Sequence, residues 1–343
     1  MYELVIVGEA GKVTRPINIS FRRTSSGATG HKMRICSLLP SATEIAFALG
    51  LGDQVVAVSH ECDYPPEASS RAVLTKSAIH RKIHRSLDLD REVEQHGGDI
   101  YEIDEKLLEQ LKPDLILTQE LCHVCAVSYT KVKEAARVLD ADTKIVSLEP
   151  TNLEEIVANI LLVGRMTGKV GEAEKLASQM LQRINSVKEK TRTVQHRRRV
   201  FFMEWLQPPW AGGHWIPQMV DYAGGIEGLG RLGQPSHRIG WDEVVEYQPE
   251  IIVLSPCGFD VNQVMEEAHV LGSYQGWEKI PALLSSRIYA VNASAYFSRS
   301  GPRVVDGLEI LAHIIHPELF AENPHPEAVR MVPRELVLGK RMH

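Results

Sequence analysis

TNLEEIVANILLVGRMTGKVGEAEKLASQMLQRINSVKEKTRT, residues Thr151 to Thr193, spells two helices in immediate succession. Thr151 or Asn152 offers an oxygen to cap the first, and Leu153, Ile156, Val157, Ile160 and Leu161 recur at helical spacing. The pattern lapses at Thr167-Gly168. It resumes through Ala173, Leu176, Ala177, Met180, Leu181, Ile184 and Val187 above a charged opposite face. From Val170 to Arg192 the second helix would run about 35 Å at about 1.5 Å per residue, as long as a small domain is wide. A rod of that length, with similar patterns before and after it, reads as a strut between two lobes.

Both flanks alternate short apolar strands with helices. Before the strut, Arg34–Leu38, Val55–Val58, Asp114–Thr118 and Ile145–Leu148 read as strands. Helices open at Pro40-Ser41 and at Asp104, and a further one spans 127–139. Residues 70–100 are basic and polar, and read as a surface excursion. After the strut, Val200–Met203, Ile251–Leu254 and Ile288–Val291 are strands, and helices cover Trp215–Tyr222, Trp241–Tyr247 and about Val261–Val270. Pro302 opens the last helix from a first-turn position. Residues beyond Pro317 read as a packing arm or loose end. The pattern predicts an α/β protein with mostly parallel sheets, divided as extension 1–32, first lobe 33–168, bridging helix 169–193, second lobe 194–316 and tail 317–343. One echo links the lobes. Leu111-Lys112-Pro113-Asp114 leads into Leu115–Thr118 as Tyr247-Gln248-Pro249-Glu250 leads into Ile251–Leu254.

Composition narrows the function. The chain has 343 residues, enough for two lobes, with 44% hydrophobic and 24% charged residues. A net charge of -6 argues against nucleic acid or an anionic membrane surface as partner. The run His196-Arg197-Arg198-Arg199 precedes an apolar strand and reads as a solvated connector. No stretch has the eighteen or so apolar residues of a membrane span, so no membrane insertion is expected. Met1 to Lys32 lacks the pattern of a secretory leader, and five cysteines suit a reducing compartment better than a disulfide framework, so the residues alone suggest the cytoplasm. Nucleophile-elbow, Walker and dinucleotide-binding motifs are missing, which favours binding over catalysis. Ala211-Gly212-Gly213-His214 and Gly228-Leu229-Gly230 read as loop hinges, with a phosphate cradle as the alternative.

In open parallel sheets, ligands bind beyond the carboxyl ends of the strands. The loops there carry Tyr64, Trp205, Trp210, Tyr296 and Phe297, with Trp215 just beyond, although aromatics are only 6% of the chain. Flat rings on opposed lobes suit a large, planar, mostly apolar ligand. For any single ring, packing at a lobe edge is the competing reading. Cys122-His123-Val124-Cys125 follows one strand, and His60-Glu61-Cys62 another. A Cys-x-x-Cys with histidine is part of a zinc or iron–sulfur signature, but the usual second pair is missing. Inert thiols are therefore preferred over a metal site of Cys122, His123 and Cys125 with His60 and Cys62, its metal unspecified. A redox or metal-handling role for Cys122 and Cys125 is the remaining alternative.

A family resemblance rests on several stretches. Ser37-Leu38-Leu39-Pro40-Ser41-Ala42-Thr43-Glu44-Ile45-Ala46-Phe47-Ala48-Leu49-Gly50, Val58-Ser59 and Asp63-Tyr64-Pro65-Pro66-Glu67 closely resemble cobalamin-binding (vitamin B12) proteins of ABC importers. So do Leu111–Ile116, Pro208-Pro209-Trp210 with Gly212-Gly213, and Arg299-Ser300-Gly301-Pro302-Arg303. The match runs in order from about residue 34 to 316. This periplasmic class III family implies two Rossmann-like lobes bridged by one long α-helix, little hinge motion, and the ligand in the cleft between lobes. It implies cobalamin or a related corrinoid as ligand, with haem or a ferric siderophore as the alternative. The protein would be an importer's capture component, with an ABC permease as partner, or a cytosolic carrier. Carried over by position, Pro208, Pro209 and Trp210 form one wall of the corrin site and Tyr296, Phe297 and Arg299 the other. The transporter-docking acids fall at Glu105, or its neighbour Lys106, and at Asp242. The family implies a periplasmic or cell-surface location. The Cys122–Cys125 motif resembles a branch of the family without a secretory leader.

Overall fold

The computed structural model of the protein describes residues 32–78, 85–96, 100–119, 129–139 and 143–338. The N-terminal extension up to residue 31 and the Cys122-His123-Val124-Cys125 motif lie outside the described residues. In the first lobe, β1 (Ile35–Ser37) leads into α1 (Pro40–Ala48), whose proline sits in the first turn. Next come β2 (Val55–Val58), β3 (Ala72–Val73), β4 (Thr75–Ser77), α2 (Ser86–Gln95), β5 (Tyr101–Ile103), α3 (Glu105–Leu111), β6 (Leu115–Thr118), α4 (Tyr129–Ala135) and β7 (Lys144–Ser147). The sheet runs β3-β2-β1-β6-β7, every pair parallel, while β4 and β5 form a separate antiparallel pair. Its central strands β1 and β6 are wholly buried, as their unbroken apolar runs require when both faces are covered.

The strut is present as two helices. α5 (Leu153–Thr167) is capped by the Asn152 side chain, which accepts from the Glu155 N–H at 2.9 Å, and ends at Gly168 in the left-handed conformation. α6 (Val170–Thr191) has 22 residues, about 33 Å of helix. The second lobe follows with β8 (Arg199–Trp205), β9 (Trp210–Ala211), α7 (Ile216–Tyr222), β10 (Ile226–Glu227), β11 (His237–Arg238), α8 (Trp241–Tyr247), β12 (Ile251–Leu254), α9 (Val261–Glu267), α10 (Pro281–Leu284), β13 (Ile288–Val291), α11 (Ala293–Tyr296), α12 (Val304–Ile315), β14 (Val329–Met331) and α13 (Arg334–Val337). β8, β12 and β13 are parallel neighbours. On the other side of β8, two short strands share one position: β10 pairs parallel with its start and β9 antiparallel with its end. The tail packs rather than hangs loose, because β14 adds an antiparallel edge to β13 and Val332 and Val337 are buried. Pro302 does not open the last helix. It lies in the turn before α12, which begins at Val304.

The echoed segments turn out to be equivalent parts. Each helix ends at a left-handed residue, Lys112 after α3 and Gln248 after α8. Asp114 then accepts the Arg34 N–H at 2.7 Å, and Glu250 accepts the Arg199 N–H at 3.0 Å. Both arginines turn their Nε–H back to the preceding helix end, on the Leu111 and Gln248 carbonyls. An arginine–carboxylate clip thus aligns the first central strand with the second in each lobe. The basic connector is tied down in the same way: Arg197 pairs with Asp221, and Arg198 donates to the Ile315 carbonyl.

One apolar cluster runs from the first sheet to the second through the strut. It includes Leu39, Ile45, Leu153, Ile156 and Ile160, then Ala177, Met180, Ile184 and Val187, then Val220, Leu308 and Leu311. The outer faces of the two sheets have their own clusters. Arg183 on α6 also pairs with Asp306 and Glu309 on α12, the latter at 2.7 Å. The two strut helices approach closely at Gly164, where a Cβ would lie 2.3 Å from the Ala173 Cβ. Gly164→Ala improves helix propensity by about 1 kcal/mol. The clash outweighs that gain, so chemical denaturation should show a net loss of about 1–3 kcal/mol.

Candidate ligand-binding site between the lobes

A cavity of about 730 Å³ opens between the lobes, within the range of roughly 300–1,000 Å³ of small-molecule sites. Its walls are the segments beyond the carboxyl ends of the parallel strands. Leu39, Pro40 and Ser41 follow β1, Glu61 follows β2 and Gln119 follows β6. From the second lobe come Glu204 and Trp205 at the end of β8, Cys257 to Phe259 after β12, and Ser294 with Phe297 to Ser300 after β13. Parallel strands end together on one side, so side chains distant in sequence converge there.

Of the aromatic and cationic residues singled out by sequence, Trp205, Trp210, Trp215, Phe297 and Arg299 line this space. Trp205 is edge-on to Phe259 at 5.7 Å between centroids. Trp210 is half-buried, with the Arg238 guanidinium 5.6 Å from its ring centre. Phe297 is 1% exposed and packs on Phe202, so most of its ring serves the core. Its carbonyl accepts from the Trp215 indole at 3.0 Å. Tyr64, Pro208, Pro209 and Tyr296 stand apart from the lining. Arg303 lies 3.8 Å over the exposed Tyr64 ring, and Tyr296 packs on His325. Pro209 is buried and Pro208 half-buried in the turn between β8 and β9. The 208–210 and 296–299 segments both belong to the second lobe, so the wall facing them is built by the first.

Charged side chains clamp the lobes around the cavity. Glu44 on α1, buried to 2% side-chain exposure, meets Arg303 at 2.6 Å and Arg299 at 3.9 Å. Burial pushes its carboxyl up, against the opposing pull of Arg303. Arg299 also grips Asp63 and donates to the Glu61 carbonyl at 3.2 Å. Ser300 Oγ lies 3.3 Å from Ser41 Oγ.

Of the stretch 70–100 expected to be a surface excursion, the described residues 85–96 are not one. α2 leaves the first lobe and docks on the second, where Ser86 donates from its N–H to Glu267 at 2.7 Å and its hydroxyl bonds the same carboxylate oxygen. The Trp205 indole donates to the Ser86 carbonyl at 3.1 Å, and the Gln207 N–H to Ser86 Oγ at 3.0 Å. Arg238 pairs with Asp90 and Glu94 at 2.7 and 2.5 Å. Leu89, Asp90, Val93 and Glu94 thereby become cavity wall. The Leu89/Val93 spacing of i,i+4 was the only sequence signal for this face. Its partner lies 181 residues away and has no local signature.

The second-lobe end of the cavity is polar. Glu204 receives a hydrogen bond from Ser236, and burial pushes its carboxyl up to about 8. His214, adjoining it, is held below the ordinary imidazole range by burial, and its Nε2, like the Trp210 Nε1, is buried without a protein partner. Gly228-Leu229-Gly230 cradles no phosphate here, because the Leu229 and Gly230 N–H groups both donate to the chain's own Glu227 carboxylate. Cys62 is a core thiol that accepts from Thr43 at 3.1 Å, and burial pushes its pKa up to about 12, which works against a thiolate ligand. His60 instead bonds Thr75 at 2.6 Å, with its Nε2 3.1 Å from the Glu61 carboxylate. Among the described residues, no three His, Cys, Asp or Glu side chains group as a metal site. Glu105 and Asp242 are both exposed, in the first turns of α3 and α8. Counting back from the left-handed helix ends, Asp242 corresponds to Lys106.

The family model described as periplasmic binding protein matches residues 35–295. The vitamin B12-binding protein of Vibrio cholerae serotype O1 is 28% identical over 286 residues, covering 80% of this chain and 86% of the relative. An uncharacterized ABC transporter substrate-binding lipoprotein of Bacillus subtilis is 25% identical over 295 residues, 84% of this chain and 82% of the relative. The periplasmic haem-binding protein of Roseiflexus sp. RS-1, in its apo form, superimposes with a TM-score of 0.63 at 21% identity, over 84% of this chain and 100% of that one. The shared fold is two lobes of parallel sheet with covering helices.

Glu267 is 3% exposed, and its loss orphans the buried Ser86 N–H. Glu267→Ala should cost about 2 kcal/mol or more in global stability. Hydrogen exchange should rise first across residues 86–95, ahead of α1. Unchanged exchange there would mean that the clamp does not hold α2.

Proposed function

The chain belongs to the periplasmic binding protein family, and we propose that it captures cobalamin or a related corrinoid between its lobes and presents it to an ABC permease. The family consists of substrate-binding components of ABC transporters rather than enzymes, so a small-molecule ligand and a permease partner follow from membership. No helix among the described residues is long and apolar enough to cross a membrane.

The charge balance of the cavity carries the choice of ligand. Among the described residues its lining arginines are Arg238 and Arg299, and both are taken: Arg238 by Asp90 and Glu94, Arg299 by Asp63 with Glu44 nearby. Glu61 and Glu204 add further carboxyls to the lining. Haem brings two propionates that need cations, and ferric siderophores are commonly anionic. Buried without partners, such groups cost several kcal/mol each. A corrin ring is fringed with carboxamides, which need hydrogen-bond donors and acceptors instead of counter-ions. Trp205 and Trp210 supply apolar ring surface, while Ser41, Gln119, Ser236 and Ser298 supply polar groups. The V. cholerae relative, a vitamin B12-binding protein, supports the same ligand. For docking on the permease, exposed Glu105 and Asp242 are the candidate residues.

Titration of the purified protein with cyanocobalamin, read from the corrin absorbance, tests the proposal. Trp210→Ala should weaken binding by about 1–3 kcal/mol through loss of apolar ring surface. Unchanged affinity would remove Trp210 from the site. Failure to bind cyanocobalamin at tens of micromolar, with tight binding of haemin, would overturn the ligand assignment.

A further inference from the structure

One carboxyl in the cavity takes no part in the clamp between the lobes. Glu204 sits near the end of β8, and among the described residues no cation pairs with it. Ser236, on the loop before β11, donates from its hydroxyl to Oε2, and the Gly213 N–H donates as well. Cys257 faces it from the loop after β12, and Glu227 from β10. Glu227 is occupied elsewhere, accepting from the N–H groups of Phe202, Leu229 and Gly230 at 2.9 to 3.0 Å. The neighbouring His214 and Trp210 present buried nitrogens without protein partners toward the same space. This end of the cavity is therefore a set of polar groups fixed in place, with hydrogen-bonding capacity that the protein itself does not use.

We propose that Glu204, positioned by Ser236, is a specificity-determining residue that donates a hydrogen bond to a carboxamide carbonyl oxygen on the ligand. The inference rests on the corrinoid reading. A buried carboxylate without a cation is costly, whereas the protonated acid is a neutral O–H donor. Burial is the largest influence on Glu204 and lifts it to about 8, with Cys257 and Glu227 adding to the lift and the Ser236 and Gly213 bonds opposing it. At neutral pH the group therefore carries the proton it donates. Above pH 8 it becomes acceptor-only and repels a carbonyl oxygen.

Cyanocobalamin titrations of the full chain from about pH 6 to 9.5 test this. Wild-type affinity should hold to pH 7 and fall at least tenfold by about pH 9.5, because the free protein loses its proton where the complex needs it. Glu204→Gln keeps a donor of similar size, so its profile should be flat and its affinity at pH 9.5 above wild type. Glu204→Ala should bind about tenfold more weakly at neutral pH, without the pH dependence. A ligand-free readout guards against a folding defect. An acid raised from 4.5 to about 8 in the folded state loses stability as pH climbs from the first value to the second, so Glu204→Gln should be more stable than wild type at pH 9 and not at pH 5. A flat wild-type profile with binding intact overturns this inference alone. Affinity that rises with pH overturns it in favour of an ionised Glu204 facing a cationic ligand group. Absence of cyanocobalamin binding at every pH overturns the corrinoid reading and this inference together.

Discussion

Glu44 and Arg303 face each other across the boundary between two sheets that share no hydrogen-bonded edge. Two lobes of that kind would drift apart or slide unless something other than backbone pairing fixed their spacing. Three things do so here. The α5–α6 strut carries an apolar seam into both lobes, the Glu44–Arg303–Arg299–Asp63 group joins them at one side of the cavity, and α2 reaches across to Glu267 at another. A buried ion pair is weak evidence of added stability, but breaking it leaves an uncompensated charge, typically a loss of about 3–5 kcal/mol. Each tie therefore resists opening even where it contributes little to folding.

The same ties shape what the cavity can hold. An arginine committed to a carboxylate of its own chain is unavailable to a ligand carboxylate, so fixing the lobes occupies Arg238 and Arg299 as well. What remains is ring surface from Trp205 and Trp210 and a polar end made by Glu204, Ser236 and His214.

The two lobes are built to one plan with local amendments. The arginine–carboxylate clips at Arg34–Asp114 and Arg199–Glu250 do the same job with side chains that differ by one methylene. Beside β8, however, β9 and β10 together occupy the place that β2 holds beside β1, and the resulting turn carries Trp210 to the cavity. Trp210 thus enters the cavity wall from the part of the plan that departs most from the first lobe, whereas Trp205, Phe259 and Phe297 sit at or beyond the ends of strands common to both.

Much of this was legible in the chain alone because it depends on local periodicity. Apolar runs of four residues name the buried parallel strands, Asn152 and Gly168 mark the ends of α5, and the rule that ligands lie beyond strand ends points to the loops holding Trp205, Trp210 and Arg299. α2 reads as a surface excursion because its ten residues are mostly polar, and Ser86, which anchors it, finds its partner Glu267 181 positions away. Phe297 and Tyr296 sit in a cavity-facing loop, yet packing against Phe202 and His325 turns most of their ring surface elsewhere. Sequence by itself therefore determined the two α/β lobes and the strut, since helix and strand periods are properties of neighbouring residues. Only the tertiary structure decided which arginines were already neutralised, which rings faced the cavity, and that Glu204 stood without a cation among the described residues. Burial and charge pairing are set by what the fold brings within a few ångströms, whatever the distance along the chain.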